Sequence, residues 1–96
     1  MSVTARLAEF VVKATLRECP DAAIAQVRRA ALDTLGVMLA GAAEPVARAV
    51  RAVARADGSV PLCTVFGTAL RASTAWAALA NGAAGHAHDF DDTNFR

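Results

Sequence analysis

Apolar residues recur at helical spacing from the start of the chain. Leu7, Phe10, Val11 and Ala14 share one side of a helical projection, with Arg6, Glu9, Lys13 and Arg17 on the other. This pattern predicts an amphipathic helix from about Thr4 to Glu18, closed by Pro20. Asp21 is a natural N-cap for a second helix, because its carboxylate can accept from the free amides of the first turn. Along that helix Ile24, Val27, Ala31, Leu35, Met38 and Leu39 form one stripe, with Gln26, Arg28, Arg29 and Asp33 solvated. Gly36 and Gly41 fall inside it or near its end, where a glycine costs about 1 kcal/mol against alanine. Either they admit a closely packed neighbour or they mark the helix end.

Pro45 suits the first turn of a third helix, where its missing amide would have been unpaired in any case. Val46, Ala49, Val50 and Val53 are expected to face inward, and Arg48, Arg51 and Arg55 outward as a solvated face. Asp57-Gly58-Ser59 is a turn. Pro61 to Gly67 is β-branched and aromatic, bounded by Pro and Gly, and predicts one short extended segment with no partner strand. Ser73 or Thr74 can cap a fourth helix from Ala75 to about Ala84. Its residues are small and apolar almost all round, which predicts a helix buried on every side that carries its C-terminal end into the interior. The fold class is therefore mainly α, with about four helices plus one short extended segment.

Composition narrows the class further. A chain of 96 residues is one small domain at most. Its hydrophobic content is 55%, yet bulky groups are few, with four Phe, one Trp and no Tyr. Faces without fillers suggest a piece of a larger helical domain, or a protomer that completes its core with a partner. A net charge of +1 gives no strong field for nucleic acid. Cys19 and Cys63 fit no metal or redox spacing and are expected as buried free thiols. Arg6 and Glu9 interrupt the stretch where a secretory signal needs an apolar run, and no uncharged segment reaches bilayer-spanning length. The expectations are a cytoplasmic protein, with no membrane and no nucleic acid among its partners.

Candidate chemistry is concentrated in the tail, His86-Ala87-His88-Asp89-Phe90-Asp91-Asp92-Thr93. Carboxylates crowded at the end of a buried helix repel one another and lose hydration, and either effect raises a carboxyl toward the range useful for proton transfer. If the helix continued, Asp89, Asp92 and Thr93 would share one side and converge on a pocket. Alternatively, Asp91 or Asp92 caps a following helix and Thr93 bonds its own backbone. A metal is a further option, since His88-Asp89 is similar to the dyad of HD-type metal phosphohydrolases. That chemistry needs more histidines than His86 and His88 to complete a coordination shell.

The string Ala78-Leu79-Ala80-Asn81-Gly82-Ala83-Ala84-Gly85-His86-Ala87-His88-Asp89-Phe90-Asp91-Asp92-Thr93 resembles the signature of the MmgE/PrpD family. Ala31 to Gly41 also resembles that family's second helix, and Thr64-Val65-Phe66-Gly67 followed by Ser73 occurs in the same order. Members include 2-methylcitrate dehydratase, of propionate metabolism, cis-aconitate decarboxylase and iminodisuccinate epimerase. The resemblance implies an N-terminal part of an all-helical domain, spanning residues 1–96, from a longer lyase with a second mixed α+β domain. It implies action on small di- and tricarboxylates without metal or organic cofactor, and a homodimer. By position, Asp89 and Thr93 match the family's catalytic Asp and Thr, while Asp92 and His86 are candidates for substrate binding, His86 with a structural role. His88 departs from the usual aliphatic residue there. The family's cationic groups for the substrate's carboxylates are not among these residues, so the chain alone is expected to be inactive. Two rivals stand beside this expectation. One is a non-catalytic helical module that associates through its small-residue helix, and the other is the metal-dependent phosphohydrolase fragment.

Overall fold

The computed structural model describes residues 1–90. Four α-helices form, α1 (Val3–Lys13), α2 (Asp21–Gly41), α3 (Pro45–Asp57) and α4 (Thr74–His86), with two short strands, β1 (Cys63–Thr64) and β2 (Arg71–Ala72), between α3 and α4. The chain divides into two compact units, Met1–Ala30 and the residues from Ala31 onward. The mainly helical class holds; the single extended segment does not.

In the first unit, Ser2 caps α1 by accepting from the Ala5 amide at 3.1 Å. The helix stops at Lys13, earlier than the periodicity suggests, and a 3-10 turn spans Leu16–Glu18. The cause is local. Thr15 takes an extended conformation, and its amide and hydroxyl both donate to the Glu18 carboxylate, at 2.9 and 3.0 Å. This is the Thr-x-x-Glu arrangement that starts helices, and it restarts the chain here after breaking α1. Asp21 is the first residue of α2 rather than its cap; the Pro20 carbonyl accepts from Ala23 and Ile24. Cys19 is exposed, contrary to the expectation of a buried thiol, and Cys63 is half-buried.

In the second unit the core is built of small residues. Val65, Ala72, Ala77 and Ala80 are buried together, with Val50, Cys63, Leu70 and Trp76 packed against them. The inward face of α3 is rotated from the expected one. Ala47 and Ala54 are buried and Val50 is half-buried, while Val46 and Val53 are exposed. Alanines at this spacing let α3 and α4 pack closely, and the larger valines are left at the edges. Arg51 is drawn in to donate to the Ala42 carbonyl, whereas Arg48 and Arg55 remain exposed.

The extended segment has a partner after all. β1 pairs antiparallel with β2, Cys63 opposite Ala72 and Thr64 opposite Arg71. The reversal needs Gly67, which adopts φ +76° and whose missing side chain leaves room for Ala42. A non-glycine residue would be strained there and would crowd Ala42. β2 escapes a propensity reading because Ala69-Leu70-Arg71-Ala72 lacks the β-branched and aromatic residues that mark strands.

α4 is buried on one side only. Ala77, Ala80 and Ala84 form its covered stripe, while Ala78, Leu79 and Gly82 are exposed. Among the described residues no single helix is long and apolar enough to cross a membrane.

Candidate functional site

The end of α4, from which the tail departs, is placed by four contacts along the helix. Ser73 caps the helix, accepting from the Trp76 amide at 3.5 Å. Trp76 Nε1 donates to Asp57 Oδ2 at 3.0 Å, tying the start of α4 to the end of α3. Midway, Asn81 grips the hairpin: its Oδ1 accepts from the Phe66 amide at 2.9 Å and its Nδ2 donates to the Thr64 carbonyl at 3.0 Å. One side chain thus replaces a missing ladder neighbour for both backbone groups. Near the other end, Gly41 lies against the Ala84 carbonyl, so α2 and α4 touch backbone to backbone.

Beyond His86 the helix does not continue. Ala87 donates back to Ala84 at 3.3 Å and Asp89 to the His86 carbonyl at 3.1 Å, and Asp89 turns left-handed at φ +52°. Aspartate tolerates this region better than most residues. The expected helical alignment of Asp89 with Asp92 and Thr93 therefore fails at its first member. Asp91, Asp92 and Thr93 themselves lie outside the described residues.

The two histidines turn to different partners. His86 Nε2 lies 3.1 Å from Asp89 Oδ1, and their side chains are 73% and 80% exposed. His88 Nε2 instead reaches Ala40 O at 3.3 Å and Glu44 Oε1 at 3.5 Å. Phe90 stacks on the His88 ring, with centroids 5.2 Å apart. The expectation that the tail lies buried is not met by His86 and Asp89 in this chain. His86 sits two residues beyond the buried Ala84, which places it on the opposite side of the helix. The adjacent His88 and Asp89 diverge, and among the described residues no group of three or more His, Cys, Asp or Glu could hold a metal ion. A groove of about 790 Å3 in the first unit, among Phe10, Lys13, Glu18 and Cys19, includes none of the tail residues.

The MmgE/PrpD N-terminal domain matches residues 5–94. The chain belongs to the MmgE/PrpD family. No curated protein and no solved structure matches it significantly.

Membership puts the geometry in context. In this MmgE/PrpD domain Asn81 is a structural clamp, a role the sequence motif alone does not reveal, because its partners are backbone groups 15 and 17 residues away. The contact of His88 with Ala40 is equally hidden, since it joins residues 48 positions apart, and so is its contact with Glu44. Glu44 follows α2 and precedes Pro45, and nothing in its local sequence marks it as a neighbour of the tail.

Proposed function

We propose that this domain serves a lyase acting on small di- or tricarboxylates, in the manner of 2-methylcitrate dehydratase, with Asp89 and Thr93 as its reacting pair. The observation that carries the reading is the family match over residues 5–94, which takes in the whole segment His86 to Thr93. Elimination next to a carboxylate breaks a C–H and a C–O bond, forms a C=C bond and releases water. The reaction needs a group to move the proton and a donor to hold the departing hydroxyl. A carboxylate and a neighbouring hydroxyl supply these two functions.

Asp89 supports the first role by its place. It lies three residues past the end of α4, its amide donates to the His86 carbonyl, and its carboxylate is 80% exposed with Oδ1 beside His86 Nε2. Thr93, with Asp92 beside it, would contact the substrate. An acidic lobe by itself repels a tricarboxylate, so cationic groups facing it are part of the reading. A homodimer without organic cofactor completes it.

The test is turnover by the intact protein that carries this domain. Loss of water from 2-methylcitrate, or from a related hydroxy-di- or tricarboxylate, is expected without added cofactor. Absence of turnover on every such acid would remove the lyase reading and leave the family assignment standing.

A further inference from the structure

The C-terminal turn of α2 leaves carbonyls with no partner in the helix. Leu39 O is taken by the Ala42 amide at 3.4 Å and Gly41 O by the Glu44 amide at 3.0 Å. Ala40 O is taken by His88, which arrives from beyond α4. Both groups facing His88 Nε2, the Ala40 carbonyl and the Glu44 carboxylate, accept and cannot donate. The hydrogen therefore sits on Nε2, and the ring completes the end of α2 as a side-chain cap.

Asp89 lies between the two rings that meet. His88 is fastened to α2 and Glu44, and Phe90 folds back to stack on His88 with an interplanar angle of 18°. That closure requires the chain to reverse at the residue between them, and Asp89 is the residue with φ +52°. A left-handed conformation in a non-glycine residue persists where its surroundings over-determine it. Here the surroundings are the His86 carbonyl on one side and the anchored His88–Phe90 pair on the other.

We infer that His88 and Glu44 are positioning residues, a latch that ties the segment after α4 to the end of α2 and sets where Asp89 presents its carboxylate. The catalytic consequence rests on the reading of Asp89 proposed above; the mechanical one does not. The latch is a property of this chain's own residues, since it needs an N–H donor at the end of the side chain at position 88 and a carboxylate at position 44.

Two measurements separate these consequences. In the 96-residue chain, hydrogen exchange at the Asp89 amide is expected to speed up in His88→Leu and in Glu44→Ala, with Ala77 and Ala80 unchanged. His88→Gln, which keeps an N–H donor at the end of the side chain, is expected to restore protection. If His88→Leu unfolds, Glu44→Ala removes one acceptor only and carries the same comparison. In the intact enzyme, His88→Leu is expected to lower kcat about tenfold or more with little change in KM, as for a misplaced reacting group, and His88→Gln to recover most of it. Unchanged exchange at Asp89 overturns the latch. Unchanged kcat in His88→Leu, with exchange altered, overturns the positioning role. An inactive wild-type enzyme counts against the lyase reading, while the exchange comparison still decides the latch.

Discussion

Gly41, the last residue of α2, meets Ala84 of α4 with no room for a side chain: a β-carbon at Gly41 would overlap the Ala84 carbonyl oxygen. The obstruction is backbone, so no rotamer change relieves it. Gly41→Ala gains about 1 kcal/mol of helix propensity and loses about 1–3 kcal/mol to overpacking. A net loss is expected, seen as a lower urea midpoint. Gly36 lies in the same helix with nothing within 4 Å of an added β-carbon. Gly36→Ala is expected to stabilise by up to about 1 kcal/mol. Equal effects at the two positions would contradict the close approach of α2 and α4.

Asn81 holds two backbone groups of the hairpin at once. Asn81→Ala leaves the Phe66 amide and the Thr64 carbonyl, both at the surface, without these partners, at a cost of about 0.5–1.5 kcal/mol per bond. Exchange at the Phe66 amide is expected to accelerate more than exchange within α3. Asn81→Asp keeps an acceptor for Phe66 but places a carboxylate beside the Thr64 carbonyl, so it is expected to weaken the hairpin as well. A hairpin as protected in Asn81→Ala as in the parent would show that the grip is incidental.

The Thr15–Glu18 turn is expected to respond to acid. The Thr15 amide, and then its hydroxyl, hold the Glu18 carboxyl below the usual carboxylate range by bonding its ionised form. A depressed folded value means that the turn's contribution is complete above the ordinary glutamate pKa. It is lost as pH falls through the folded value. Nuclear magnetic resonance titration of Glu18 should show the lowered value, and Thr15→Val, which removes the hydroxyl alone, should raise it part-way. A Glu18 that titrates like a free glutamate would refute the contact.

Local patterns carried most of the helical fold. Pro45 opens α3 as its missing amide suggests, Ser73 caps α4, and Gly58 turns left-handed after α3. The misplaced end of α1 was also written locally, in Thr15 and Glu18, but amphipathic spacing continued through them and masked it. What one-dimensional spacing could not convey was pairing. β2 carries no strand propensity and exists because β1, Gly67 and Asn81 create a place for it. Nor could it tell which side of an all-apolar helix is covered, since alanine on α4 occurs on every face and only contact with α3 and the hairpin selects Ala77, Ala80 and Ala84. Of the candidate site, the sequence showed where the chemistry-bearing residues cluster. It did not show that Asp89 leaves the helix axis in a left-handed turn, because that depends on His88 finding Ala40 and Glu44.

The role proposed for Asp89 in the reaction is tested by Asp89→Asn in the intact protein that carries this domain. Asparagine tolerates the same left-handed backbone and nearly the same volume, so folding is expected to be unaltered. Under saturating hydroxy-tricarboxylate, turnover is expected to fall about 10²-fold or more, the contribution of a general acid or base. A variant that folds normally and turns over at the parent rate would contradict the claim.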